Sequence, residues 1–179
     1  MGTGVLKDFL IQFSGLKQGI HSFSFHVGDS FFAQFEYSEI EKGCVEVDCS
    51  MDKGTGMLVF HFSITGSVKV TCDRCGEEYD QAISGEQQLI VKFGDDYHEE
   101  TGEVLIIPLK EHQFDVSQLI YEYINLLIPP KRVHGVGENG VSLCNPEMVK
   151  ILDQLRPEHD TDSRWEALRK LKNKENIDN

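Results

Sequence analysis

Hydrophobic and polar residues alternate through most of the first 110 positions of the chain. In the segment MLVFHFSI the most apolar side chains fall on every second position, namely Leu58, Phe60, Phe62 and Ile64. A period of two is typical of a strand with one buried face. Similar runs are FSFHV, CVEVDCSM, GSVKVTC, QQLIVKF and VLIIPL, and we interpret DKGTG and TGS as turns between neighbouring strands. The pattern predicts an antiparallel meander.

The segment FGDDYHEETGE has no hydrophobic period, contains two glycines and is strongly acidic. We therefore predict a surface loop with solvated carboxylates. An alternative is a metal site built from its acidic and histidine side chains, which are Asp95, Asp96, His98, Glu99 and Glu100.

After residue 114 the hydrophobic period becomes helical. Asp115 and Gln118 have the spacing of a capping box, and the double proline at 129–130 ends the helix. This predicts a helix over Asp115–Ile128 that covers the sheet with one apolar face, formed by Val116, Leu119, Ile120, Tyr123, Ile124 and Leu127.

Two further helices are predicted near the C-terminus. One begins at the N-cap Asn145 with Pro146 in its first turn, and we expect its apolar residues to point inward, namely Met148, Ile151, Leu152 and Leu155. The other begins near Ser163, with Glu166 completing a capping box, and has Trp165, Leu168 and Leu171 on one side. The polar segment RPEHDTD between them is predicted to be a linker.

These elements predict an α+β fold in which an antiparallel, partly barrel-like sheet is capped by helices and followed by a basic C-terminal helix. The predicted domain spans residues 1–156, and the linker and basic helix span residues 157–179.

The net charge of −13 argues against indiscriminate phosphate binding, but the charge is unevenly distributed. Residues 164–174 carry five basic side chains and one acid, so that this window is +4 and the remainder −17. We expect RNA contacts from this segment and from three basic residues nearer the predicted domain. The candidates are Arg164, Arg169, Lys170, Lys172 and Lys174, together with Arg74, Lys131 and Arg132.

Composition also bears on the compartment. No apolar run reaches the roughly 18–20 residues of a membrane span, and the N-terminus does not resemble a signal peptide. Five cysteines without secretory context favour free thiols or metal ligands over disulfides. We therefore predict a cytoplasmic protein.

The segment TCDRCGEEYD contains two cysteines separated by two residues and followed directly by Gly76. This spacing fits half of a zinc site, because one tight turn brings both sulfurs to a single point. A second pair lies in VHGVGENGVSLC, where a glycine-rich loop can double back between a histidine and a cysteine. The predicted ligands are Cys72, Cys75, His134 and Cys144, holding a structural zinc ion.

Other interpretations of these motifs remain open. One alternative is a structural cysteine pair without a metal, and another is a thiol redox pair, although a thioredoxin-like motif opens a helix within a βαβ unit. Cys44 and Cys49 are interpreted as core thiols. The GVGENG segment matches a dinucleotide fingerprint, but lacks the flanking strand and helix that such a site needs. No nucleophile with an adjacent base is evident, so we do not expect an enzyme.

Together, the CDRC motif, the helix ending in IPPKRVH, the later Cys144 and the terminal SRWEALRKLK resemble the YceD family. The resemblance covers about residues 10–172 and is closest to the form associated with Bacteroidetes-type bacteria. It implies a non-enzymatic role in accumulation of large-subunit ribosomal RNA. The implied partners are that RNA or a precursor ribosomal particle, with ribosomal proteins as further candidates, and no membrane or small-molecule substrate is implied. The family's Cys and His positions correspond to Cys72, Cys75, His134 and Cys144.

Overall fold

A computed structural model describes residues 7–156 of the chain. Its main feature is a six-stranded sheet with the strand order β2-β3-β4-β5-β7-β6. The strands are β2 (Gly19–Val27), β3 (Gly43–Lys53), β4 (Met57–Thr71), β5 (Glu78–Gly94), β6 (His98–Thr101) and β7 (Val104–Pro108). A separate two-stranded sheet pairs β1 (Leu10–Gln12) with β8 (Gln113–Asp115).

Three helices and one 3₁₀ turn complete the described part of the chain. The turn spans Lys7–Phe9, and the helices are α1 (Asp29–Phe32), α2 (Ser117–Leu127) and α3 (Pro146–Gln154). The predicted α+β class is therefore confirmed. None of the helices in residues 7–156 is both long and apolar enough to span a membrane. The predicted helix near Ser163 lies outside the described residues, and the division into 1–156 and 157–179 stays a prediction.

The large sheet differs from the predicted antiparallel, partly barrel-like arrangement in two respects. Strands β5 and β7 pair in parallel, while the other neighbours in the sheet are antiparallel. The sheet is also open, since β2 and β6 form its two edges. Hydrophobic alternation specifies which face of each strand is buried, but it does not specify the direction of a neighbouring strand.

One face of the sheet forms the hydrophobic core together with α2. The alternating side chains of β4 are fully buried on this face, and Ile120 and Ile124 of α2 are also fully buried. On β5 the absence of a side chain at Gly85 leaves room for Leu127, because a Cβ there would collide with the Leu127 methyl groups. The predicted helix over the sheet is thus confirmed.

The capping box predicted at the N-terminus of α2 is wrong, because the N-cap residue is Val116, whose side chain makes no capping hydrogen bond. The Asp115 carboxylate accepts a hydrogen bond from the backbone N–H of Ser117 at 2.9 Å, which satisfies one free amide of the first turn. The Gln118 side chain does not reach back, because it donates to Glu122 one turn further along.

The predicted turn TGS is wrong, because β4 continues without a break through residues 65–67. Gly66 pairs with Val45 on one side and Ile83 on the other. A side chain at Gly66 would collide with the backbone of Cys44, so this glycine permits close approach of two strands and does not end a strand.

The acidic segment is exposed, as predicted, but it is not entirely a loop. Residues His98–Thr101 form β6, which pairs with β7 at the edge of the sheet and has all four side chains exposed. Charged side chains are common on edge strands, where they oppose pairing with other chains.

Helix α3 begins as predicted, since Asn145 accepts hydrogen bonds from the backbone N–H groups of Glu147 and Met148 and Pro146 lies in the first turn. The expectation that its apolar residues point inward is wrong. The exposed fractions are 39% for Met148, 46% for Ile151, 40% for Leu152 and 72% for Leu155. The helix instead packs through Val149 against the buried cysteines.

The hydroxyl of Tyr123 provides a test of the core. It is buried without a hydrogen-bond partner among the described residues, and burial raises the pKa of Tyr123 to about 12. Because an unsatisfied buried hydroxyl costs about 1–3 kcal/mol, we expect Tyr123→Phe to raise the free energy of unfolding measured by urea denaturation. The matched control is Tyr79→Phe, which removes a hydroxyl that donates to Gln81 at 2.8 Å and should lower stability by about 1 kcal/mol. A loss of stability in Tyr123→Phe would show that this hydroxyl has a partner.

Candidate metal centre

Cys72 and Cys75 lie in the connection between β4 and β5, at the end of the long hairpin that these strands form. The backbone N–H of Gly76 donates to the carbonyl of Cys72, and the N–H of Cys72 donates to the carbonyl of Glu77, both at 2.9 Å. Gly76 has a φ of +76°, which glycine adopts at no steric cost. The tight turn points both sulfurs the same way, as the sequence spacing predicted.

His134 and Cys144 come together because the glycine-rich segment between them folds back on itself. Val136 forms a β-bridge with Ser142, and the N–H of Leu143 donates to the carbonyl of Gly135 at 3.0 Å. The backbone reverses at Gly140, which has a φ of +71°. The segment that matched a dinucleotide fingerprint is therefore a small hairpin-like loop whose two ends carry a histidine and a cysteine.

Hydrogen bonds hold this loop against the end of the β4-β5 hairpin. The backbone N–H of Asp73 donates to the carbonyl of Arg132, and the Asp73 carboxylate accepts from the N–H of Arg132, both at 2.7 Å. The Asn145 side chain donates to Glu77 at 2.6 Å. These positioning contacts have no signal in the sequence, because the Asp73–Arg132 partners are 59 positions apart and no local pattern pairs them.

The donor atoms of Cys72, Cys75, His134 and Cys144 all lie within 4.8 Å of one another. The Sγ atoms of Cys72 and Cys144 are 3.8 Å apart, and the Sγ of Cys75 is 3.4 Å from Nδ1 of His134. Two thiolates bound tetrahedrally to one ion at about 2.3 Å each would be separated by about 3.8 Å. The arrangement therefore fits one four-coordinate metal ion, and the predicted convergence of the four side chains is confirmed.

The environment of the three thiols favours donation to a cation. All three cysteines are buried, and Val133, Val149 and Tyr79 pack around them. The ring of Tyr79 also packs against that of His134, with 4.6 Å between ring centroids. This shell limits the access of water to the donor atoms.

The pKa values of Cys72 and Cys144 shift in opposite directions. Burial raises the pKa of Cys72, but hydrogen bonds from His134, Cys75 and Arg74 outweigh it and lower the pKa to about 6. For Cys144, a hydrogen bond with Ser142 lowers the pKa, but burial and the thiols of Cys72 and Cys75 raise it above the ordinary value. Three adjacent thiols would repel one another if all were deprotonated, and a bound cation would offset that repulsion.

The two remaining cysteines do not belong to the cluster. Cys49 is buried in the main core, as predicted, and burial raises its pKa to about 12. The prediction for Cys44 is wrong, because its side chain is exposed. Cys44 lies on the strand face opposite Val45 and Val47, which are the buried residues at this end of β3.

Other candidate sites from the sequence receive less support. Within residues 7–156 the acidic side chains at positions 95–100 do not form a metal-ligand cluster. The C-x-x-C pair connects two strands and does not open a helix, unlike a thioredoxin-like motif.

Three of the basic candidates lie beside the cluster. Arg74 and Lys131 are exposed, and the Asp73–Arg132 hydrogen bonds bring their two segments together. The Arg132 guanidinium forms an ion pair with Glu39 at 3.4 Å. The remaining candidates, Arg164, Arg169, Lys170, Lys172 and Lys174, lie outside the described residues.

Comparison with models of known protein families shows the family of this chain. A family model described as large ribosomal RNA subunit accumulation protein YceD matches residues 60–172, which is more than half of the chain. The chain belongs to the YceD family. The match includes the β4-β5 hairpin, α2 and all four clustered side chains. Searches of curated proteins and of solved structures found no match.

The Asp73 carboxylate provides a test of how this YceD protein positions its metal-ligand segments. We expect Asp73→Ala to lower the free energy of unfolding by about 1–2 kcal/mol, because the N–H of Arg132 loses a charged acceptor. The matched control, Asp80→Ala, removes an exposed ion pair with Lys69 and should cost under about 1 kcal/mol. Equal effects in urea denaturation would mean that Asp73 does not hold the two segments together.

Proposed function

We propose that this protein is a non-enzymatic assembly factor for the large ribosomal subunit, with a structural zinc ion held by Cys72, Cys75, His134 and Cys144. The observation that carries the assembly role is the match of residues 60–172 to the YceD family model. The zinc assignment rests on the donor set and its spacing.

Three thiolates and one imidazole are a common ligand set for structural zinc. When bound, zinc would supply a cross-link between the β4-β5 hairpin and the segment after α2. All four coordination positions would be filled by side chains, which leaves none for a substrate or an activated water. Structural zinc sites in small domains contribute roughly 10 kcal/mol or more of apparent folding free energy, so the site serves stability in this proposal.

The cross-link would also give the protein a defined basic surface. Arg74 follows Cys72 by two residues, and Lys131 and Arg132 precede His134 by two or three. Fixing the four ligands therefore fixes the backbone that carries these three cations. We infer that they contact phosphates of the large-subunit ribosomal RNA or of a precursor particle.

The acidic character of the rest of the chain limits this contact. A surface with few cations gives weak, salt-sensitive affinity for RNA, and repulsion from the other carboxylates disfavours indiscriminate binding. Arg164, Arg169, Lys170, Lys172 and Lys174 would extend the basic surface. Ribosomal proteins are a second class of partner in this proposal, which places the protein in the cytoplasm and assigns it no small-molecule substrate.

A thiol redox function is the second candidate. The observation in its favour is the lowered pKa of Cys72, because a low-pKa thiol is a thiolate at neutral pH and is reactive. Burial of all three thiols and the position of the motif between two strands count against it. Rapid exchange of the zinc-loaded protein with a model disulfide would favour the redox function.

The zinc proposal is tested by the metal content of the purified protein. We expect near-stoichiometric zinc by elemental analysis, and a large fall in the thermal unfolding midpoint after treatment with a chelator. Cys144→Ser should lose the metal because it removes one of four ligands, whereas Cys44→Ser should retain it because Cys44 is outside the cluster. Absence of zinc together with a chelator-independent midpoint would contradict the proposal.

The assembly role is tested by sedimentation of cell extracts on a gradient. Deletion of residues 160–179 is expected to abolish comigration with large-subunit particles, because it removes the basic window, while the β-rich domain remains folded. Comigration that persists after the deletion would show that this window does not mediate the contact.

The basic residues beside the metal centre are tested separately in the full chain. The Arg74→Glu and Lys131→Glu double variant should weaken comigration and reduce its salt dependence, since each lost phosphate contact removes about 0.9 from the log–log salt slope. The matched control combines Lys17→Glu with Lys110→Glu, which reverses two exposed charges on other segments. Equal losses in the two variants would indicate a response to net charge alone.

A further inference from the structure

The most unusual surface of the described chain is the outward apolar face of α3. It consists of residues spaced at i, i+3, i+4 and i+7, namely Met148, Ile151, Leu152 and Leu155. These side chains are 39–72% exposed, although their spacing is that of a helix face buried against a partner. The helix packs on the cysteine cluster through Val149, which borders this face next to Leu152.

This exposure is concentrated in one part of the chain. Of the thirteen large hydrophobic side chains that are exposed in residues 7–156, seven lie between residues 136 and 155. Single exposed apolar side chains are ordinary, whereas a contiguous group commonly marks a surface that another element covers.

We propose that the apolar face of α3 is covered by the C-terminal segment of the same chain, residues 163–172, through Trp165, Leu168 and Leu171. The proposal is independent of the assembly role and concerns how the chain folds back on itself.

The connection between the two segments has a suitable length. Helix α3 ends at Gln154 and is about 14 Å long, from nine residues at 1.5 Å each. Nine peptide units separate Arg156 from Trp165, and an extended chain of that length reaches about 30 Å. The tether therefore allows Trp165 to reach either end of α3. Two antiparallel helices joined by a short polar connection are a common motif.

The chemistry of the two surfaces is also complementary. Trp165, Leu168 and Leu171 are spaced three residues apart, and this spacing places them on one side of a helix, matching the apolar stripe of α3. The first turn of α3 contributes the exposed carboxylate of Glu147, which suits a segment whose net charge is +3 from four basic side chains and one acid. Because the segment is tethered, its effective concentration at α3 is in the millimolar range. That concentration is sufficient to populate a weak apolar contact whose dissociation constant is also about millimolar.

An occupant from within the chain is favoured over a second copy or a separate partner because the same chain joins the segment to α3, with Trp165 nine peptide units beyond Arg156. The family model also extends through residue 172 and thus includes Trp165, Leu168 and Leu171. At helical spacing, docking would leave Lys170 on the outer side of the segment, with Arg169 at its flank.

Trp165 is the single tryptophan of the chain, so its fluorescence reports on this contact directly. In the full-length zinc-loaded protein we expect an emission maximum well to the blue of the urea-unfolded chain, and iodide quenching several-fold weaker. The double variant Ile151→Ser and Leu155→Ser should move both measurements toward the unfolded values. The matched control, Ile20→Ser with Leu109→Ser, alters two residues elsewhere in the chain that are each 73% exposed, and it should leave both measurements unchanged.

The reciprocal variant Leu168→Ser with Leu171→Ser should shift the emission in the same way, and it leaves residues 7–156 unaltered. Far-UV circular dichroism and zinc content would verify that each variant remains folded. The proposal is overturned if the emission of the wild type matches that of the urea-unfolded chain. It is also overturned if the emission and quenching of the α3 variant equal those of the control variant. A blue shift that disappears on dilution would assign the face to a second copy and would also overturn it. None of these outcomes bears on the gradient experiments, which depend on the basic side chains.

Discussion

The pairing of β4 with β5 is the interaction on which both parts of the described structure depend. The two strands are in register over fifteen residue pairs, from Met57 opposite Lys92 to Thr71 opposite Glu78. The middle of this hairpin supplies the buried face on which α2 packs, and its end positions Cys72 and Cys75. Because a β-hairpin of this length is held by continuous backbone hydrogen bonds, the hydrophobic core and the cysteine turn are rigidly connected.

The two parts are stabilised by different means. The main core is built from many buried aliphatic and aromatic side chains and includes stacked pairs such as Phe9–Phe25 and Phe35–Tyr121. The cluster beyond α2 contains only three buried cysteines, with Val133, Val149 and Tyr79 against them. So small an apolar cluster provides little hydrophobic stabilisation, and small units of this kind commonly rely on a bound metal. A structural zinc ion would supply the stabilisation that this small cluster lacks. The exposed apolar face of α3 reflects the same difference, because most apolar side chains of that helix are not buried in the described structure.

The position of the basic side chains follows from the same arrangement. Arg74 lies within the turn that carries two of the donor atoms, and Lys131 lies on the segment that leads to a third. Contacts that hold the loop in place, such as those between Asp73 and Arg132, also determine where these cations lie. In an acidic protein, RNA contact through such a surface would depend on local charge and not on net charge.

Local sequence did not indicate β1, β6, β8 or α1. It determined most of β2, β3, β4, β5 and β7, and also α2, the start of α3 and the C-x-x-C turn, because each depends on side-chain period or capping within a few residues. It also indicated the four clustered donors, since a glycine-rich loop between His134 and Cys144 can reverse. Tertiary structure alone decided the parallel pairing of β5 with β7, the continuity of β4 through Gly66, the exposure of Cys44 and the outward direction of the α3 apolar face. Each of these depends on which distant segment lies alongside, and the free energy of such contacts is not encoded in any short window of residues.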